Sequence, residues 1–354
     1  MAYTTINKST DNFNTVLYTS NNGSSPRTIS GVGFQPDFVW VKNRDSASYN
    51  HVLNDSVRGL NKILSSDTNG AELAANHAGG YISSANNDGF VITAGSSNLS
   101  NYDTGTNKQV VWNWLASNTT VSNTDGSITS TVSANTTAGF SIVSYTGTGA
   151  NATVGHGLNA VPKMIIVKRR DANDSWWTFN SNLGSNDAYL ALQSTAASST
   201  AGGNTLWNST APTSSVFSVG TNSGVNGSSS TYVAYCFAEK TGYSKIGSFT
   251  GNGNADGTFI YTGFRPAFVL AKSSTSVTEW HMSDDARYPT NPNNAYLAAS
   301  SSAAEVTGYP TDFLSNGFKI RTTLGGWNSS GATFIYMAIG QSLVGSNNVP
   351  CTAR

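Results

Sequence analysis

Three apolar runs that each end in a lysine decide the fold: Phe38-Val39-Trp40-Val41-Lys42, Met164-Ile165-Ile166-Val167-Lys168 and Phe268-Val269-Leu270-Ala271-Lys272. Each run follows a lead-in that contains glycine and proline, at residues 33–36, 157–162 and 263–266. Proline is excluded from the middle of a sheet, so these lead-ins mark the starts of strands. Because the runs do not alternate with polar residues, we expect three equivalent strands that are covered on both faces.

Other segments recur in the same order around these runs. Gly89-Phe90-Val91-Ile92 corresponds to Gly317-Phe318-Lys319-Ile320, and an alternating strand closes each unit at residues 110–114, 232–237 and 334–338. The resulting period of roughly 100 residues is too long for solenoid repeats. The sequence therefore predicts an all-β protein, a tandem array of three homologous β-sandwich units of jelly-roll or lectin-like type.

The recurring segments also give the unit boundaries. Residues 1–117 form the first unit, 139–241 the second and 242–354 the third, and residues 118–138, rich in Thr, Ser and Asn, are predicted to be a linker. Large apolar side chains on matched strands are expected in the core. These are Trp40, Trp112 or Trp114, and Phe268.

The composition excludes several classes of protein. Lys plus Arg is 19 and Asp plus Glu is 19, and charged residues make up 11% of the chain, against roughly 25% in ordinary domains. A duplex-binding protein needs a basic stripe that this chain lacks, so no nucleic-acid partner is expected. No apolar run approaches the length of a membrane span, and the first ten residues lack the apolar core of a secretory signal. We expect a soluble protein made in a cytoplasm, with no membrane insertion.

Histidine and cysteine give no motif for a metal site. The four histidines and two cysteines form neither an H-E-x-x-H motif nor a paired-cysteine spacing. His51 and His281 fall on a strand whose counterpart in the second unit carries tryptophans, which favours packing. Cys236 and Cys351 either pair or stay as thiols. The sequence therefore assigns no metal and no cofactor.

The carboxylates do not form a catalytic pair. Glycoside hydrolysis needs two carboxylates that flank the scissile bond, whereas Asp284 and Asp285 are adjacent and would point to opposite faces of a strand. Asp45 and Asp171 follow strand ends, where such side chains usually fix turns. No catalytic residue is assigned, and we expect no enzymatic activity.

One acidic loop has a calcium-like pattern. Residues 251–257 read Gly-Asn-Gly-Asn-Ala-Asp-Gly, but the twelfth position counted from Asn252 is Gly263, where a calcium loop needs a bidentate glutamate. The same residues suit a hairpin turn. The turn is the favoured interpretation, and calcium binding is the alternative.

Aromatic residues outside the matched strands are the remaining candidates for contacts. Trp177 follows Trp176, so one of the two faces outward on a strand, and Trp207 and Trp327 lie in loops rich in Gly, Asn and Ser. Such a tryptophan can stack on a sugar while neighbouring amides bind its hydroxyl groups. Trp177, Trp207 and Trp327 are thus candidate glycan or interface contacts. The alternative is an aromatic plug that closes the end of a sandwich.

Several segments resemble a repeat family of marine tailed bacteriophages. The similar segments are residues 1–10, 33–44, 55–59, 239–248 and 349–354. Members of that family are usually labelled virion structural, tail-fibre or lectin-like proteins. The chain has no heptad shaft and no collagen-like run, which indicates a compact virion component in place of a long fibre.

The resemblance implies a non-enzymatic virion structural protein, a tail fibre or spike component that contacts the host surface. A capsid decoration protein and a carbohydrate-binding module are the alternatives. The expected partners are other copies of the chain, other virion proteins and a host surface glycan. The expected location is the virion, assembled in the host cytoplasm.

Overall fold

The computed structural model describes residues 4–342 and is nearly all β, with 41% strand and 5% helix. This confirms the all-β expectation. The strands form three β-sandwiches that follow one another along the chain, named here sandwich 1, sandwich 2 and sandwich 3.

Sandwich 1 follows a 3₁₀ turn at Ser9–Asp11. Its strands are β1 (Phe13–Thr19), β2 (Arg27–Ser30), β3 (Phe38–Asn43), β4 (Val52–Asp55), β5 (Tyr81–Asn86), β6 (Gly89–Thr93) and β7 (Lys108–Trp114). Its main sheet has the order β1-β7-β3-β4, and its outer sheet has the order β2-β6-β5.

Sandwich 2 contains nine strands and two short helices. They are β8 (Val121–Asn123), β9 (Ser130–Asn135), β10 (Phe140–Thr146), β11 (Ala152–Gly155), β12 (Met164–Arg169), β13 (Trp176–Asn180), β14 (Leu190–Ala191), α1 (Gly203–Trp207), β15 (Val216–Val219), α2 (Ser223–Asn226) and β16 (Thr231–Phe237). Its main sheet has the order β14-β13-β12-β16-β10-β9-β8, and β11 pairs with β15 in the outer sheet.

Sandwich 3 contains eight strands and one short helix. They are β17 (Ser244–Thr250), β18 (Phe259–Tyr261), β19 (Pro266–Ser273), β20 (His281–Asp284), β21 (Asn293–Ala298), β22 (Val306–Leu314), β23 (Gly317–Ile320), α3 (Gly325–Asn328) and β24 (Thr333–Gly340). Here one continuous sheet, β17-β24-β19-β20-β21-β22-β23-β18, supplies both layers.

The same strand order recurs in the three main sheets. Strands β1, β10 and β17 each pair with the last strand of their sandwich, and that strand pairs with the lysine-ended strand. The lysine-ended strand pairs in turn with the strand that follows it in the chain, which gives the orders β1-β7-β3-β4, β10-β16-β12-β13 and β17-β24-β19-β20. The registers match as well, since Trp40 lies opposite Trp112, Ile166 opposite Tyr235 and Leu270 opposite Met337. The three lysine-ended strands therefore occupy the same place in each order.

The predicted linker contains regular structure. Strands β8 and β9 fall within residues 118–138 and extend the main sheet of sandwich 2 beyond β10. Val132 and Ser133 of β9 are buried, so this segment is part of the sandwich. Its Ser/Thr-rich composition had indicated a linker, but backbone pairing to an open sheet edge does not require apolar side chains.

A core shared by all three sandwiches explains why the lysine-ended runs are apolar on both faces. In β3, Trp40 contributes to the shared core, whereas Val39 and Val41 pack inside sandwich 1. The same alternation occurs in sandwich 2, where Ile166 contributes to the shared core and Ile165 packs inside the sandwich. Trp40, Trp112, Trp114 and Phe268 are all buried in the shared core, which confirms the prediction that they are core residues. The sandwiches thus close around one core and are not a linear array of separate bodies.

Candidate functional site

Two of the three predicted contact residues are buried. Trp207 and Trp327 are each only 2% exposed, because the short helices α1 and α3 place their indoles inside the sandwiches. The Trp327 ring stacks on His281 with centroids 4.8 Å apart, and its Nε1 donates to Thr311 Oγ1 at 2.8 Å. The expectation that these two rings are available to a sugar is therefore wrong, and they match the aromatic-plug alternative.

Trp177 is half-buried on β13. Its Nε1 donates to Asp174 Oδ1 at 3.0 Å, and its ring packs edge-on against Tyr189. Both contacts lie within sandwich 2, and its role as a glycan or interface contact stays a prediction.

The three strand-end lysines join neighbouring sandwiches. Each is fully buried, and its ammonium donates both to a carbonyl of its own sandwich and to a carbonyl of another one. The contacts to the other sandwich are Lys168 Nζ to Asn69 O at 3.2 Å, Lys272 Nζ to Thr195 O at 3.1 Å, and Lys42 Nζ to Ser302 O at 2.8 Å. They run from sandwich 2 to 1, from 3 to 2 and from 1 to 3, so the three sandwiches form a closed ring. We name the contact of Lys168 joint 1/2, that of Lys272 joint 2/3 and that of Lys42 joint 3/1.

A ring nitrogen makes a second equivalent contact at each joint. Trp176 Nε1 donates to Ser65 O at 2.9 Å, and Trp280 Nε1 donates to Ala191 O at 3.1 Å. His51 occupies this position in sandwich 1, and its Nδ1 accepts from Trp40 Nε1 at 2.8 Å. Its Nε2 therefore carries the proton and donates to Ala298 O at 2.9 Å. This confirms the packing role expected for His51.

Joints 1/2 and 3/1 each contain a buried ion pair. Asp55 pairs with Arg58 at 2.5 Å and accepts from Tyr235 of sandwich 2 at 2.7 Å. Asp284 pairs with Arg287 at 2.7 Å and accepts from Trp112 Nε1 of sandwich 1 at 3.0 Å. Because each carboxylate also holds a donor from the neighbouring sandwich, these pairs connect two sandwiches.

A glutamate extends each ion pair across its joint. Glu72 contacts Arg58 at 2.9 Å and Arg170 of sandwich 2 at 3.0 Å. Glu305 contacts Arg287 at 2.8 Å and Arg44 of sandwich 1 at 2.9 Å. Burial alone would raise the pKa of both glutamates, but the guanidinium groups hold each pKa below its usual value.

Joint 2/3 has the same geometry without these charges. Asn180 and Leu183 of sandwich 2 stand where the other sandwiches have the Asp–Arg pair. Ser198 Oγ donates to Ser274 O at 2.8 Å where the other joints have a Glu–Arg contact. The residue that corresponds to Trp112 and Tyr235 is Met337, which has no hydrogen to donate.

Burial changes the acid–base behaviour of several joint residues. It lowers the pKa of Lys42, Lys168 and Lys272 to about 8, and it lowers the pKa of His51 to about 3. His281, buried against Trp327, likewise has a pKa of about 3 because of burial. Its stacked contacts agree with the packing role predicted for it.

The remaining predicted positions hold turns and ion pairs. Asp171 pairs with Arg169 in a local contact, whereas Asp45 Oδ2 accepts from the backbone N–H of Lys108 at the start of β7, so Asp45 joins its turn to a distant strand. Asp285, half-buried, pairs with Arg265 at 2.8 Å. Cys236 is a buried free thiol, and Cys351 lies outside the described residues.

The calcium-like loop is closed by its own residues. Asn252 Oδ1 accepts from the Asn254 N–H, and Asn254 Oδ1 accepts from the Asp256 N–H. Asp256 pairs with Lys319 at 2.7 Å and with Arg321 at 3.1 Å. Among residues 4–342, no group of three or more His, Cys, Asp or Glu side chains is arranged to hold a metal ion.

The residues that form the joints were not among the predicted site residues. The Asp-x-x-Arg spacing at 55–58 and 284–287, which begins at the last residue of a strand in both cases, is a signal that the sequence offers. In the sequence, the lysines indicate only the equivalence of the three apolar runs. Their partners lie on distant loops, so their role as joints could not be read from the runs themselves.

The chain belongs to a family that is described only as a domain of unknown function, DUF7483, whose model matches residues 8–342. That match spans all three sandwiches, which agrees with their closure into one ring. No curated protein matches the sequence. Within the part of the chain that is described, none of the helices is long and apolar enough to cross a membrane.

Proposed function

We propose that this protein is a non-enzymatic structural component of a bacteriophage particle, of the tail fibre or spike type. We further propose that its sandwiches are homologous repeats of jelly-roll or lectin-like type. The observation that carries the proposal is the closed ring, in which equivalent lysine contacts join three sandwiches around one aromatic core. A close-packed body of this kind transmits force and keeps its surface shape, which suits a particle component.

The distribution of charge supports a structural role. Buried or nearly buried arginines, aspartates and glutamates form the networks at joints 1/2 and 3/1, and the surface carries mainly small uncharged polar residues. High salt screens exposed charges but leaves neutral hydrogen bonds largely intact. A surface of this composition can therefore bind neighbours by shape over a wide range of ionic strength.

One of the surface cavities supports a non-enzymatic role. A surface cavity of about 400 Å³ is lined by residues such as Val161, Pro162, Ser185 and Asn186, and none of its lining residues is titratable. Acid–base catalysis needs a titratable group within hydrogen-bond reach of the substrate. We expect no release of reducing sugar from a panel of polysaccharides. Cleavage that disappears in Asp284→Asn or Asp285→Asn would contradict the proposal.

The decisive experiment is to look for the protein in purified particles. Quantitative mass spectrometry should find it at a fixed copy number, and gold-labelled antibodies should place it on the tail. Labelling of the head would favour the capsid decoration alternative. Absence from the particles, together with glycan binding by the free protein, would favour a soluble carbohydrate-binding module.

Its assembly state gives an independent test. Native mass spectrometry should detect either an oligomer of the chain or a stable complex with another particle protein. Weak neutral contacts gain avidity when a rigid body repeats them. A strict monomer that binds no particle protein would contradict the proposal. A host surface glycan stays a candidate partner, to be tested with the same material.

A further inference from the structure

One strand of the outer sheet differs between sandwich 3 and the other two. β2, β11 and β18 are matched, because their central apolar residues lie opposite a phenylalanine of the paired strand. These pairs are Ile29 with Phe90, Val154 with Phe217 and Ile260 with Phe318. The residues on either side of the central one point to the opposite face.

The flanking positions are small in two sandwiches and aromatic in the third. They are Thr28 and Ser30 in β2, Thr153 and Gly155 in β11, and Phe259 and Tyr261 in β18. Phe259 is 42% exposed and Tyr261 is 63% exposed. No other aromatic side chain of residues 4–342 is exposed. Exposed apolar side chains that stand together mark interaction sites.

The backbone of β18 is also open on one side. The Ile320 N–H donates to Thr258 O at 3.1 Å, and the Thr262 N–H donates to Asn316 O at 3.0 Å. Hydrogen-bonded pairs alternate in an antiparallel ladder, so the N–H and C=O groups of Phe259 and Tyr261 point away from β23. β18 ends its sheet, and no described residue forms a hydrogen bond with these outward groups.

Sandwich 2 covers the matching edge with its own chain. Ile128 forms a parallel bridge with Val154, and the Ile128 N–H donates to Thr153 O at 2.9 Å. Ser127 Oγ accepts from the Thr153 N–H at 2.9 Å, and Ser130 Oγ donates to Gly155 O at 2.8 Å. The occupant of this edge is thus an extended, uncharged segment of polypeptide.

We propose that β18 is a docking strand to which an extended segment of another particle protein adds in parallel. The outward groups of Phe259 and Tyr261 form its backbone hydrogen bonds, and the two rings cover its side chains. By analogy with residues 127–130, the segment is uncharged, carries small hydroxyl side chains and has one apolar residue. Only the source of this segment rests on the proposed function, since the free edge and the exposed rings do not depend on it.

The first test uses the full-length protein and a synthetic peptide with blocked ends and the uncharged sequence of residues 126–131. Hydrogen exchange measured by NMR should show the amides of Phe259 and Tyr261 slowed about tenfold at saturating peptide. Tyr261→Pro should abolish this effect, because proline removes an outward donor that the fold does not use. Val277→Thr, which removes an exposed apolar residue elsewhere in sandwich 3, should leave it unchanged.

Two results of this test would overturn the proposal. One is unchanged exchange at both amides in the presence of the peptide. The other comes from a parallel titration with a neutral oligosaccharide. Binding that shifts the ring signals of Phe259 and Tyr261 without slowing their amides would make β18 a sugar-binding strand.

A second test uses particles assembled with the protein supplied in trans. The double variant Phe259→Thr/Tyr261→Ser, which copies β2, should lose most of its incorporation, whereas Val277→Thr should be incorporated normally. Normal incorporation of the double variant would refute strand docking and leave the particle role intact. If the wild type were absent from particles, the proposed function would fail while the peptide result still stood.

Discussion

Joints 1/2 and 2/3 show how one geometry can be stabilised by different chemistry. At both joints a buried lysine donates to a carbonyl of the neighbouring sandwich, at 3.2 and 3.1 Å. At both a backbone N–H crosses in the same way, from Glu72 to Arg170 O at 2.8 Å and from Ser198 to Ser274 O at 2.9 Å. Joint 1/2 adds a buried network of carboxylates and guanidinium groups, whereas joint 2/3 does not.

The difference follows from the residue that the neighbouring sandwich presents. Tyr235 at joint 1/2 and Trp112 at joint 3/1 each donate a hydrogen bond to a buried aspartate. Met337 at joint 2/3 has no hydrogen to donate, and Asn180 replaces the aspartate there. A buried ion pair is tolerated only if its remaining polar atoms are satisfied. We infer that these buried charges depend on a third hydrogen-bond partner across the joint.

The largest effect is expected from removing aromatic volume at joint 3/1. Trp40→Ala leaves a cavity in the shared core and removes the donor to His51, and it should lower the free energy of unfolding by about 3–5 kcal/mol. Chemical denaturation measures this loss. A loss under about 1 kcal/mol would mean that the shared core adds little stability and that each sandwich is held by its own interior.

Breaking an ion pair at joint 1/2 should have the next largest effect. Arg58→Met leaves Asp55 buried without a cation and should cost about 3 kcal/mol. The double variant Asp55→Asn/Arg58→Leu copies joint 2/3 and should recover most of this loss. Lys8→Met, which breaks an exposed pair with Asp11, is the control and should cost under about 1 kcal/mol.

A double variant that is less stable than Arg58→Met would contradict the comparison. It would mean that the neighbouring tyrosine requires a carboxylate as its acceptor, so that the two joints could not be exchanged.

Mild acid should weaken joint 3/1 through His51. Its pKa in the folded protein is about 3 and its ordinary value is 6.5, so between these limits the unfolded chain binds more protons. Stability therefore falls as the pH drops from 6.5 towards 3, by about 2 kcal/mol for this histidine between pH 6.5 and 5. Denaturation at pH 7 and pH 5 should show that His51→Gln reduces the fall. His77→Gln is the control on a half-buried histidine, and an equal reduction there would refute the assignment.

The smallest effect is expected from removing one donor at joint 3/1. Trp112→Phe keeps an aromatic ring but leaves Asp284 without its cross-joint hydrogen bond, and should cost about 1 kcal/mol. Adding Asp284→Asn and Arg287→Leu to this variant removes the buried charges and should restore part of the stability. If the triple variant is weaker than Trp112→Phe alone, the dependence of the ion pair on its third partner is refuted.

Much of the fold could be predicted from local pattern, but the candidate site could not. The runs at 38–42, 164–168 and 268–272 indicate buried strands, because an apolar run without alternation has no face suited to water. The linker prediction failed for β8 and β9, whose Ser/Thr-rich residues pair through their backbones. The exposure expected for Trp207 and Trp327 was wrong because short helices turn loop residues inward, and nothing in their composition indicates this.

Local sequence patterns account for the all-β class, the matched strands and the burial of both faces of the lysine-ended runs. These properties follow from the chemistry and spacing of neighbouring residues, which act over a few positions of the chain. The tertiary structure alone shows that the sandwiches form a ring and that Lys42 donates to Ser302 O in sandwich 3. It also decided that the exposed aromatic pair is on β18. The physical reason is that a contact between distant residues depends on the packing of whole sheets, which no local pattern encodes.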